Sequence, residues 1–262
     1  MRGNMENFIV SYDPLVLLLL GIAGFVAAFM DASVGGGGLV STPFLLGMGI
    51  PVPFALGTNK MASAMGSAMS VFSFWRAGKI NALAWKSMFF SFAGSALGAY
   101  VVYLLPQKLM KNIIVVLLVF VAIYTYRRKD WGDNSVLQKI DTGVLVKSIL
   151  IASVLGFYDG FFGPGTGSFL IFSFLFLGLD FVTAAGNAKV LNFASGLGGL
   201  FSFAMSGTVI WSYGLLMGIC MITGAFFGSR LAIKKGAAYV RPLYLIVTTL
   251  LIGKQVYEII CK

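Results

Sequence analysis

The chain has 262 residues, of which 58% are hydrophobic and 11% charged, with a mean hydropathy of +0.91. A water-soluble domain of this size carries about 25% charged residues, so this chain lacks the polar surface to coat a globule in water. It contains no His, and its two cysteines, Cys220 and Cys261, lie far apart in apolar contexts, which excludes a zinc site, a disulfide scaffold and the commonest general base. The net charge of +10 sits in short clusters between long apolar runs, the pattern of membrane loops rather than of a nucleic-acid groove.

Apolar stretches run at 15–33, 38–50, 54–75, 84–105, 109–126, 144–161, 165–179, 181–205, 210–229 and 242–260. About 20 residues cross the hydrocarbon core, so most of these are long enough to span it. The first is longer than a signal-peptide core and has a counterpart later in the chain, so it reads as mature structure. The stretches at 38–50 and 165–179 are short, and each begins at a glycine cluster: Gly35-Gly36-Gly37-Gly38 and Gly163-Pro164-Gly165-Thr166-Gly167. Such segments at matching places in two halves point to re-entrant or discontinuous helices. Trp75, Trp85, Trp131 and Trp211 fall near segment ends, where interfacial aromatics belong.

The halves repeat. Phe29-Met30-Asp31 with Gly35 and Gly37 matches Phe157-Tyr158-Asp159 with Gly163 and Gly165, and Gly57-Thr58-Asn59-Lys60 matches Gly186-Asn187-Ala188-Lys189. Gly78 pairs with Gly207, and the Gly94/Gly98 spacing recurs as Gly224/Gly228, which reads as small-residue helix contacts. Loops 76–86, 127–147 and 230–241 hold twelve basic residues, against five for the ends and loop 106–111. The positive-inside rule places the twelve in the cytoplasm. Equivalent loops then fall on opposite sides, which predicts an all-α integral membrane protein of two inverted-topology repeats, each with several transmembrane helices and a glycine-broken hairpin. The expected organisation is one membrane domain, with a first repeat at 1–126, a cytoplasmic linker at 127–143 and a second repeat at 144–262.

Asp31, Lys60, Asp159 and Lys189 are the charged residues inside apolar segments near the glycine breaks. Each would cost about 2.5–3.5 kcal/mol near a helix centre, so all must be paired, hydrated or turned to a cavity. On one reading each Asp ties its hairpin to the following helix as a buried ion pair. On the other, the lysines line an anion path while Asp31 and Asp159 position them or carry protons. Helix N-termini present free N–H groups and partial positive charge, and glycine lets an oxyanion come close. The expected substrate contacts are therefore Gly35, Gly36, Gly37, Gly38, Thr58, Asn59, Lys60, Gly163, Gly165, Thr166, Asn187, Lys189 and Asn192, with Ser41, Thr42 and Ser168 nearby. The two breaks are expected to meet in space, with the anion between them. No metal site, cofactor or nucleophile–base set is expected, and Lys254 with Glu258 reads as an exposed helix-end pair.

These motifs carry a family resemblance. Asp31 with Gly35-Gly36-Gly37-Gly38-Leu39, Thr58-Asn59-Lys60, the run Gly156-Phe157-Tyr158-Asp159-Gly160-Phe161-Phe162-Gly163-Pro164, Ala188-Lys189 with Asn192, Lys235-Gly236 and Arg241-Pro242 resemble the TauE/SafE family, in its YfcA-like bacterial branch. The resemblance implies a multi-pass protein of the bacterial inner membrane, not an enzyme, that moves sulfite, organosulfonates or other sulfur-containing anions. The expected function is secondary transport of small anions by alternating access. A passive anion channel, an envelope assembly subunit and an intramembrane enzyme are the competing readings. Partners would be the anion and the lipid bilayer, with proton or sodium coupling and homo-oligomerisation left open, and no nucleic acid.

Overall fold

A computed structural model describes residues 13–106 and 141–236. The stretches at 109–126 and 242–260, most of the linker, Trp131, Cys261, Arg241-Pro242 and the Lys254/Glu258 pair lie outside them. The described residues form eight helices and no strand: α1 (Pro14–Val34), α2 (Gly38–Gly47), α3 (Val52–Arg76), α4 (Ala82–Leu104), α5 (Thr142–Phe161), α6 (Thr166–Phe176), α7 (Phe181–Met205) and α8 (Trp211–Lys235). The order long, short, long, long occurs twice. Local chemistry repeats with it. Asp13 accepts the Leu15 N–H and Asp141 the Val144 N–H, both at 2.7 Å, so equivalent aspartates cap α1 and α5. The third cap departs from the pattern: α7 starts at Asp180, whereas α3 starts at Pro51.

Four helices, α1, α4, α5 and α8, are long and apolar enough to cross a membrane. Leu18, Phe89, Val154 and Ile219 are among their exposed large apolar side chains. Although α3 and α7 are each 25 residues long, they are not among these four. They are the inner helices, more than half buried, and a helix walled by other helices has no need of an apolar surface. Relative to the apolar run, α8 continues through Arg230 to Lys235, its last-turn lysines complementing the helix dipole, and stops at Gly236.

Packing is mainly between the halves. α1 lies on α8 and α4 on α5; α3 packs on α8 and α4 on α7; α3 and α7 cross at the centre. Where the hydrophobic effect is absent, as in lipid, close backbone approach takes over. Gly94 and Gly98 meet the backbone of Ser153 and Phe157, and their counterparts Gly224 and Gly228 meet that of Phe25 and Phe29. Serine hydroxyls of α4 reach α7: Ser91 donates to the Leu191 carbonyl at 2.8 Å and Ser95 to the Ser195 carbonyl at 2.6 Å.

The order of these contacts gives helix directions. Met61, Met65 and Gly66 meet Gly214, Gly218 and Met221, so α3 and α8 are parallel, and α1 runs with them. Ser91 and Ser95 against Leu191 and Ser195 make α4 and α7 parallel, and α5 runs with them. Gly57 meets Phe203, Lys60 meets Gly199, Ala64 meets Gly196 and Phe74 meets Gly186, so α3 and α7 are antiparallel. Because α1 and α3 point the same way, α2 and its flanking loops must lead the chain back between them. Arg76, Lys79, Lys86, Lys147, Arg230, Lys234 and Lys235 then fall at one end of the bundle.

Candidate functional site

The two glycine breaks pack against each other. Gly35 (φ +68°) sits on the Gly167 and Ser168 backbone, too close for any side chain, and a Cβ on Gly38 would lie 3.0 Å from Pro164 Cα. Gly163 (φ +95°) occupies the equivalent left-handed position, which favours glycine at both breaks. Ser168 stitches the breaks together by donating to the Val34 and Gly35 carbonyls. Tyr158 holds the second loop by donating to the Pro164 carbonyl at 2.8 Å.

All four intramembrane charges meet here, but with exchanged partners. Lys60 of α3 lies 2.6 Å from Asp159 of α5, and Lys189 of α7 lies 2.7 Å from Asp31 of α1. The expectation that each Asp holds the next helix of its own half is corrected. The antiparallel crossing of α3 over α7 carries each lysine past its own hairpin to the other one. Asp31 also folds back on its own loop, its Oδ1 accepting the Gly36 and Gly37 N–H groups at 3.2 and 3.3 Å. Two N–H groups expected to face an anion are therefore taken by a carboxylate. Asp159 has no partner but Lys60 among the described residues.

A cavity of about 40 Å³ opens beside the breaks, room for roughly three water molecules. Of the residues expected at the site, Asp31, Gly36, Gly37, Gly38, Asn59, Lys60, Asp159, Gly163, Gly165 and Asn192 line it. Gly35, Thr58, Thr166, Asn187 and Lys189 do not. Gly35 is in the break-to-break contact. Thr58 accepts the Ile210 N–H at 3.0 Å, Thr166 donates to the Gly163 carbonyl at 2.7 Å, and Asn187 donates to Thr183 and accepts from the Asn81 N–H. These are helix ties. Lys189 is completely buried against Asp31.

Ser63 and Ser67 join the lining from α3, and neither was expected there. With Asn59 they are spaced by four residues, one face of a helix, and that polar stripe in an apolar segment was the available signal. The stem of Lys60 runs over bare Gly199 of α7, whose hypothetical Cβ would lie 3.1 Å from Lys60 Cδ. Asn59 donates to Thr42 Oγ1 at 3.3 Å, while its Oδ1 is buried with no partner. An unpaired polar atom in a cavity wall is costly unless an occupant meets it. The site thus offers one cation, two carboxylates, glycine backbone and neutral hydroxyl and amide groups. Among the described residues no three His, Cys, Asp or Glu side chains form a metal cluster.

Residues 20–254 match the family model for the sulfite exporter TauE/SafE. The chain is 39% identical to a probable membrane transporter protein, ORF9, of Sinorhizobium, over 89% of each chain. It is 37% identical to a probable membrane transporter protein of Haemophilus influenzae, over 93% of this chain and 95% of the relative. It is 33% identical to the probable membrane transporter protein YfcA of Escherichia coli, over 97% and 95%. No solved structure matches the chain.

Proposed function

The chain belongs to the TauE/SafE family of multi-pass membrane transporters, and from that premise we propose that it is a secondary transporter of small anions. Sulfur oxyanions, sulfite or an organosulfonate, are the substrates in view, carried by alternating access. One observation carries this reading: the two glycine breaks meet around a small cavity whose one lining cation among the described residues is Lys60. The short helices α2 and α6 both begin at this junction, and helix N-termini favour negative charge.

Helix directions support an inverted repeat. α3 and α7 occupy equivalent places in the two halves and run in opposite senses. Two similar halves of opposite orientation can exchange conformations and so move access between membrane faces. On this reading α1–α2 and α5–α6 are re-entrant hairpins, and residues 1–126 and 144–262 form one membrane domain joined by a linker at 127–143. The bundle end that gathers Arg76, Lys86, Lys147 and Lys234 faces the cytoplasm.

The test is counterflow in proteoliposomes of the purified full chain. Preloaded unlabelled sulfite should drive saturable uptake of labelled sulfite, and Lys60→Met should abolish it in protein that remains folded. A current linear in voltage would instead identify a channel. Absence of any anion flux would remove the transport assignment.

A further inference from the structure

The two ion pairs are unequally held. Asp31 keeps two backbone N–H donors whether or not Lys189 is present, and its side chain is 19% exposed. Asp159, 5% exposed as a residue, has Lys60 alone among the described residues. Lys60 also faces the cavity, and Gly163 leaves it open: a Cβ there would lie 3.3 Å from Lys60 Nζ and 3.5 Å from Asp159 Oδ1. An anion entering the cavity can reach Lys60 only beside the carboxylate that already holds it.

Charge balance constrains the exchange. Lys60, Lys189, Asp31 and Asp159 sum to zero, so an arriving monovalent anion leaves the buried site one negative charge in excess. A carboxylate stripped of its partner in a low-dielectric site is neutralised rather than left bare. A proton neutralises the Asp159 carboxylate without further ligands and without taking room from the anion. We propose that Asp159 is the coupling-proton site, so that each anion that takes Lys60 from Asp159 brings one proton onto the Asp159 carboxylate. This rests on the anion-transport reading. The proton enters from the aqueous side with the anion, the Lys60–Asp159 contact breaks, a Lys60–anion contact forms, and release of both restores the pair. Atoms and charge balance throughout.

The other charged and titratable groups around Asp159 are few. From α1 it meets Asp31 across the cavity, already held by Lys189 of α7. On its own helix Tyr158 is beside it, with its hydroxyl committed to Pro164. From α4, packed behind α5, Ser95 lies against Gly160 and the nearest helix positions bring no acid or base. Among the described residues no other acid or base is seen there.

Calorimetric titration of sulfite into the purified full chain, in two buffers of different ionisation enthalpy, counts protons taken up per anion bound. Mildly acidic conditions hold free sulfite as the monovalent hydrogensulfite ion, whose single charge one proton offsets. The expected result is about one proton per anion for the native chain. For Asp159→Asn, the number of protons taken up per anion bound should fall to zero. Proton uptake retained in Asp159→Asn would put the proton on another group and overturn the proposal, as would anion binding without proton uptake in the native chain. Absence of sulfite binding would instead count against the transport reading beneath it. Should Asp159→Asn fail to fold, native proteoliposomes decide: an inward proton gradient alone should drive accumulation of sulfite, and indifference to the gradient overturns the coupling.

Discussion

The Asp31–Lys189 and Asp159–Lys60 pairs use the same two side chains on equivalent helices, yet they occupy different environments. In the first, a wholly buried lysine meets a carboxylate that also caps its own glycine loop. In the second, the lysine borders a cavity and the carboxylate has that lysine alone among the described residues. Sequence symmetry therefore does not make functional symmetry. One pair is a latch whose lysine lies away from the cavity; the other is an exchangeable contact whose lysine has a second ligand available from the cavity.

The largest effect should come from breaking the latch. Asp31→Ala leaves the fully buried Lys189 without its carboxylate and also frees the Gly36 and Gly37 N–H groups. Breaking a buried pair in this way costs about 3–5 kcal/mol. Thermal unfolding of detergent-solubilised protein should show little folded Asp31→Ala, whereas Asp159→Ala, which leaves Lys60 facing the cavity, should lose less. Stability lost in Lys189→Met should return in part with Asp31→Asn, which removes the stranded charge and keeps an oxygen for the Gly36 and Gly37 N–H groups. The pairing seen here fails if Asp159→Asn rescues Lys189→Met instead.

Next come two adjacent glycines that separate packing from access. A Cβ on Gly37 would lie 2.6 Å from the Ala27 carbonyl oxygen and from Asp31 Cβ, so Gly37→Ala must shift α1 or α2, at about 1–3 kcal/mol. A Cβ on Gly36 meets nothing closer than 3.7 Å, yet Gly36 lines the cavity. Gly36→Ala should keep the native melting temperature and reduce anion flux. Unchanged flux in Gly36→Ala would take the cavity out of the transport path.

The smallest effect concerns a side-chain cap that α7 has and α3 lacks. Asp180 accepts the Thr183 N–H at 3.0 Å. Burial pushes its carboxyl up, but hydrogen bonds from Thr183 and Val182 and the charge of Lys79 outweigh this and hold it below the ordinary carboxylate range. A carboxylate lowered in the folded state stabilises above its unfolded pKa, and that contribution is lost as pH falls through the folded value. Asp180→Ala should cost about 1 kcal/mol at neutral pH. The gap in melting temperature between native and variant should close on acidification, and a gap constant with pH would remove the charge from the account.

Much of the fold was legible because long apolar runs, caps and glycine punctuation are local signals. The glycines with left-handed φ at the ends of α3 and α7, Gly78 and Gly207, fall where the repeat put them. The pairing of charges was not legible. Along the chain the lysine nearest to Asp31 is Lys60, and only the central antiparallel crossing sends Lys60 to Asp159 instead. The site was legible as a neighbourhood but not as a surface. Thr58 and Asn187 sit in the right motifs, yet both are spent on backbone groups. Ser63 and Ser67, which lie in neither glycine motif, complete the wall. Asn192 takes the place in α7 that Ser63 takes in α3, so even the lining differs between halves.

The exchanged pairing also has a consequence for biosynthesis. The ribosome delivers the first half to the membrane with Asp31 and Lys60 both present, but neither can meet its final partner until Asp159 and Lys189 have been made. During that interval two opposite charges wait in the bilayer, and insertion of the second half is what discharges them. The two pairs therefore tie the final contacts at both breaks to synthesis of the second half.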